Sequence, residues 1–138
     1  VTANAGDRVL LRFINLGFTE VSMRLTGIKM KVVGRDASPL IGRDGTNLAF
    51  LTSTAPVGPC ESADAIFVAP AFVASGDNPV DHLGRPYNRY LLYNRALTHM
   101  DGGSGSAAGG QMTEVRVYAA GTLDMQLQHN QLGYPEVL

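Results

Sequence analysis

Val21-Ser-Met-Arg-Leu-Thr-Gly-Ile-Lys-Met-Lys-Val-Val33 is the stretch on which the reading of this chain turns. Val21, Met23 and Leu25 alternate with other residues, and after Gly27 the alternation resumes with Ile28, Met30 and Val32. Successive side chains of an extended backbone point to opposite faces. A period of two therefore predicts two short strands, about 20–25 and 29–34, each with one face in a core. Gly27 between them suits a tight corner or a close backbone approach.

Upstream, Gly6-Asp7 reads as a turn and 8–15 as a strand, with Val9, Leu11 and Phe13 on one side and Arg8, Leu10 and Arg12 on the other. Asn15-Leu-Gly17 breaks that run. Downstream, 35–47 is rich in Gly, Asp, Ser and Pro and reads as a loop with a short strand at 39–41. A strand is expected at 47–57, with Leu48, Phe50 and Leu51 as core candidates, then a turn at Gly58-Pro-Cys-Glu61 and a strand at 62–68. Residues 77–86 read as a polar surface loop, 87–94 as a strand dense in Tyr and Leu, and Gly102–Gly110 as a flexible low-complexity loop. The last strand, 111–119, places Val115 and Val117 inward and Glu114, Arg116 and Tyr118 outward. About seven short strands with turns between them and no strong amphipathic helix predict an all-β fold, a Greek-key sandwich or barrel. The body is expected over 1–121, with 122–138 as a C-terminal linker or arm.

At 138 residues the chain fits one domain, able to bury roughly two thirds of its unfolded surface. An apolar share of 45% and a charged share of 17% belong to a globular protein. A formal net charge of -1 and no Lys or Arg stripe give no field to attract a polyanion, so no nucleic-acid partner is expected. Apolar runs such as Val9–Leu11 and Ala69–Ala74 fall far short of the roughly 20 residues that cross a bilayer. No membrane partner is expected, and the chain is read as soluble. No export signal is visible, which suggests a removed leader or a longer precursor. Cys60 is the single cysteine and cannot make an internal disulfide, so the redox compartment stays unread.

His82, His99 and His129 fall on separate loops or on the tail, and no two have the short spacing by which one strand or helix turn presents two metal ligands. They are read as surface residues; Asp81-His82 and His99-x-Asp101 could each hold only an adventitious divalent ion. Cys60 is expected to be a buried or half-buried packing residue, since nothing places a base beside it. No Gly-x-Ser-x-Gly elbow exposes a serine. The Gly-rich loop leads into Gln111-Met-Thr-Glu and a strand, not into the lysine and helix that a phosphate loop requires. Arg24 is read as solvated or ion-paired, Asp36 as bonding backbone N–H groups of its loop, and Arg12 and Asn15 as polar residues at a strand end. No catalytic, cofactor-binding or metal-binding residue is assigned.

The opening stretch resembles a copper-binding segment of the multicopper oxidases, His-Pro-Met-His-Leu-His-Gly-His-x-Phe-x-Val-Val. Met23, Leu25, Gly27, Val32 and Val33 match it, while Val21, Arg24, Thr26 and Ile28 stand where the histidines would be. Ala5–Asn15, Gly58–Phe67, Tyr90–Arg95 and Gln111–Tyr118 resemble further strands of the family's second, plastocyanin-like domain, although at Cys60 that turn more often has Gly. No His-Cys-His segment is present. The resemblance implies a cupredoxin fold and a copper-free, second or middle domain, with no cofactor of its own and copper elsewhere in the parent. It also implies a parent oxidoreductase that removes single electrons from a substrate and reduces dioxygen to water, with a periplasmic or extracellular location. The domain itself would be a non-catalytic scaffold whose partners are the neighbouring copper-binding domains. Edges and apolar patches left by excision would favour a homodimer. Two other readings compete: a free-standing β-sandwich binding module using Tyr87, Tyr90, Tyr93 and the Gly-rich loop, and an independent copper or zinc enzyme.

Overall fold

The computed structural model describes residues 1–100 and 110–124. It is a two-sheet β-sandwich of strands β1 Thr2–Asn4, β2 Arg8–Ile14, β3 Val21–Leu25, β4 Met30–Arg35, β5 Ser38–Pro39, β6 Phe50–Thr52, β7 Thr54–Val57, β8 Ser62–Val68, β9 Asn88–Asn94 and β10 Met112–Tyr118, with a one-turn helix α1 Leu97–Met100. The first sheet runs β1-β10-β9-β3-β7; the second runs β2-β8-β4-β5, with β6 also pairing β4. Successive strands repeatedly change sheet. No helix among the described residues is long and apolar enough to cross a membrane.

The alternating residues form the core. Leu25, Ile28, Met30 and Val32 from the opening stretch pack with Leu11, Ala65, Phe67, Leu92, Val115 and Val117, all buried. Burying each large apolar side chain contributes about 1.5–3 kcal/mol, the main favourable term in such a fold. Gly27 has φ +76°, and a Cβ there would meet the Tyr90 ring at 3.4 Å. The positive φ makes it the tight corner that its position suits, while the Tyr90 ring leaves room for an ordinary contact.

Two expectations about strands differ from the fold. Residues 47–57 do not form one strand: β6 pairs with β4 in one sheet and β7 with β3 in the other. The switch falls at Ser53, whose carbonyl accepts from Leu25 N–H, while the Thr52 hydroxyl donates to the Thr54 carbonyl and accepts from its N–H. The core residues of this segment are consequently Ala55 and Val57; Leu48, Phe50 and Leu51 are exposed at the sheet edge. Tyr118 is buried, because residues 77–86 fold over the outer face of β10. Local patterning also did not show β1, which pairs parallel with β10, or α1. The loop 102–110, except Gly110, and the tail beyond Asp124 lie outside the described residues. Leu123 is anchored, its N–H donating to Asn4 Oδ1 and its carbonyl accepting from Asn4 Nδ2.

Among the described residues the buried polar ones are two asparagines, and they hold one end of the sandwich. Asn15, after β2, donates to the Thr19 and Val57 carbonyls and accepts from Gly17 N–H. Asn94, closing β9, accepts from Ser22 and Ala96 N–H and donates to Gln111 Oε1. Among the described residues no buried side-chain polar atom lacks a partner. Removing either amide strands several backbone groups without water, at about 1–3 kcal/mol each. Asn94→Ala and Asn15→Ala should each lower the urea-derived stability by about 3 kcal/mol, against under about 1 kcal/mol for the exposed Asn47→Ala. Equal losses at all three positions would show that the buried amides do not hold this end.

Candidate functional site

The four positions aligned with histidines do not meet. Val21 faces the mouth of the sandwich, where it lines a cleft. Arg24, half-buried on the outer side of β3, stands between Thr54 and Tyr93 of the flanking strands. Thr26 is exposed, its N–H donating to the Leu91 carbonyl at 2.9 Å, and Ile28 is packed in the core. Val and Ile offer no lone pair, Arg only donors and Thr one weak neutral oxygen, whereas copper favours imidazole and thiolate. These residues do not fit a copper ion. Among the described residues no three His, Cys, Asp or Glu side chains cluster closely enough to hold any metal ion.

A cleft beside Asn15 has a volume of about 580 Å³ and is lined by Val21, Met23, Leu92, His99 and Met112 among others. His99 is the histidine placed there; its residue is exposed, and its backbone carbonyl accepts from Gln111 N–H at 2.7 Å. His82 lies beyond the other end of β10, roughly 20 Å away by strand rise, because its loop is tied to Tyr118 while His99 is tied to Gln111. His129 and Asp101 lie outside the described residues. Beside the cleft, Leu16 and Phe18 are 84% and 97% exposed, on a loop that the Asn15 side chain pins.

Asp81 is fully committed. Its Oδ1 accepts from Leu83 and Arg85 N–H, and its Oδ2 from Arg85 Nε at 2.8 Å and the Tyr118 hydroxyl at 3.2 Å. With both oxygens occupied, it cannot serve His82 as a metal partner. Tyr118 packs on Tyr87 with ring centroids 5.6 Å apart, and the Arg85 and Arg116 guanidinium groups lie over the Tyr118 and Tyr87 rings. Burial alone would raise the Asp81 pKa; the hydrogen bonds from Arg85, Leu83 and Tyr118 outweigh it and hold the carboxyl well below its ordinary range. Burial, and then the hydrogen bond and charge of Asp81, push the Tyr118 phenol up. No sequence pattern announced this cluster, since Asp81, Arg85 and Tyr118 are joined by loop closure and not by spacing.

Other candidates fall as follows. Cys60 is exposed, correcting the packing role expected of it. It sits in the left-handed region at φ +60°, where the turn Gly58–Glu61 aims its side chain outward while Glu61 folds back onto Gly58 N–H. Asp36 accepts from Ser62 N–H at 2.8 Å and so joins β4 to β8 rather than ordering its own loop alone. Arg12 pairs with Asp64 at 2.9 Å, whereas Arg24 enters none of the ion pairs among the described residues. Tyr87 is buried and Tyr90 packs against the core, so they do not form an exposed aromatic surface with Tyr93.

No protein-family profile and no curated protein sequence matches the chain. Solved structures do. A structure of the multicopper oxidase mgLAC matches 85% of this chain with a TM-score of 0.63 and 23% identity, and the blue copper oxidase from Nitrosomonas europaea matches 85% with 0.62 and 19%. The chain has the fold of a multicopper-oxidase domain. The multicopper oxidase McoA from Aquifex aeolicus also matches, over 86% of this chain with a TM-score of 0.56 and 20% identity. This chain spans 30% of each of the first two proteins and 21% of the third. The cupredoxin-type sandwich expected from the Val21–Val33 segment is therefore the fold observed.

At φ +60° a side chain costs about 1–2 kcal/mol that glycine avoids, partly offset by glycine's freedom when unfolded. Cys60→Gly should match or exceed the parent by up to about 1 kcal/mol, and the β-branched Cys60→Val should lose about 1 kcal/mol, in urea unfolding. A valine variant as stable as the parent would remove the left-handed turn. For Asp81, a lowered folded-state pKa gives stability that is present above the ordinary 3.8 and is lost as pH falls toward the folded value. For Tyr118, a raised pKa gives stability that declines as pH rises above 10.0. Asp81→Asn should lower Tm by several degrees near neutrality and flatten its fall in acid; parallel Tm–pH curves would exclude Asp81 as the acid-sensitive group.

Proposed function

We propose that the chain is a copper-free cupredoxin domain of a multicopper oxidase, the second or middle plastocyanin-like domain, and that it works as a scaffold between copper-bearing neighbours. The observation that carries this reading is a sandwich matching the oxidases over 21–30% of their length, in which the histidine-aligned positions hold Val21, Arg24, Thr26 and Ile28 and diverge. The parent would oxidise its substrate in one-electron steps and reduce dioxygen to water with copper held by other domains. A periplasmic or extracellular location accompanies that reading.

The contribution of this chain is steric. The loop carrying Leu16 and Phe18, bonded by the Asn15 side chain, supports it, since two neighbouring apolar side chains held in water gain when another domain covers them. In this reading 1–121 forms the body and 122–138 the connection to the next domain. The same apolar exposure favours self-association of the isolated chain.

Purified chain incubated with copper salts and desalted should retain well below one copper per chain by elemental analysis, with no blue absorption. Stoichiometric copper with a blue band and its EPR signal would overturn the copper-free assignment. The full reading frame should encode His-x-His and His-Cys-His segments outside this stretch. A frame closed at both borders without them would overturn the scaffold assignment while leaving the fold untouched.

A further inference from the structure

The outer face of the second sheet has two unlike halves. Nearer the cleft, Arg12 of β2 faces Asp64 of β8 and the charges pair at 2.9 Å. In the other half, Arg8 faces Val68, Leu10 faces Ile66, and Lys31 of β4 stands between Ile66 and Leu51. Lys29, just before β4, lines the same groove as Lys31, Ile66 and Val68. Facing Cβ atoms in such a sheet are about 4.5–5.5 Å apart. Three cations therefore surround one apolar strip.

None of the three enters an ion pair among the described residues. Val68 and Leu51 are 58% and 70% exposed. Like charges gathered on one face repel, and apolar side chains in water gain from being covered. One kind of molecule answers both conditions, and the site offers it a groove of about 470 Å³ that Pro70 and Gly27 help to line, within the range of small-ligand sites. We propose that this groove binds an amphipathic organic anion. Its hydrocarbon or aryl body would lie on Leu51, Ile66, Val68 and Pro70, and its carboxylate or sulfonate would be held by Arg8, Lys29 and Lys31 through charge-assisted hydrogen bonds. A cationic headgroup is repelled, and a short anion without an apolar body lacks half of the recognition. The groove lies at the opposite end of β2 from the cleft and from the Asn15 loop.

Sodium decanoate titrated into isotopically labelled chain, followed by backbone amide NMR, tests this directly. Saturable shifts are expected at Lys29, Lys31, Leu51, Ile66 and Val68, with none from acetate or decyltrimethylammonium. Lys31→Glu should weaken binding about 10-fold or more and Leu51→Ser several-fold. Both sites are exposed, and an unchanged melting curve verifies that each variant folds. Shifts centred on the cleft, equal binding of the cationic detergent, undiminished binding by Lys31→Glu, or no saturation would each overturn the proposal. Sedimentation with phosphatidylglycerol vesicles in the absence of decanoate binding would overturn it in favour of a lipid surface.

Discussion

Two primary amides, buried between the sheets, hold the structure to a single arrangement. A β-sandwich must end its strands somewhere, and the freed backbone groups there need partners once water is excluded. Asn15 serves the β2 end, the loop to β3 and the β7 end; Asn94 serves the β9 end, the β3 start and the approach to β10. Each amide has two donors and a bifunctional acceptor, so one side chain replaces several missing ladder bonds. The cleft opens beside Asn15 and Gln111, the residue whose side chain Asn94 holds. Its shape, and the outward presentation of Leu16 and Phe18, follow from where the amides pin the chain.

The local signals in the sequence reached as far as the physics behind them. Alternation placed β2, β3, β4, β8 and β10 to within a residue or two, because each has one wet and one dry face and period two follows from that alone. It failed at 47–57, where a strand that changes sheet also changes which face is dry, so the large side chains at Leu48, Phe50 and Leu51 pointed to a core they do not enter. It failed also at Tyr118, where a distant loop buries the nominally wet face. β1 carries too few residues for any period to show; its pairing with a strand more than a hundred positions away is a tertiary fact.

The candidate chemistry was legible in a different way. That imidazoles are missing from the Val21–Val33 segment can be read from residue identity, but that the replacing side chains diverge needed the fold. Cys60 shows the converse: a thiol looks like a small apolar residue in a sequence, while the turn geometry around it is set by Gly58 and Glu61. Charge was the least legible feature. A net charge of -1 conceals a face on which Arg12 is matched by Asp64 while Arg8, Lys29 and Lys31 collect around an apolar strip, since strands far apart in sequence supply them.

The parallel pairing of β1 with β10 bears on how the molecule is made. Among the described residues β1 pairs only with β10, which is synthesised more than a hundred residues later, with Thr2 beside Arg116 and Asn4 beside Tyr118. Loop closure on that scale is slow, and high contact order slows folding. The second sheet, whose strands all fall before residue 69, has every partner available much earlier. Co-translational folding should thus proceed one sheet at a time, the half-built sandwich waiting with its inner face uncovered until the closing strand emerges.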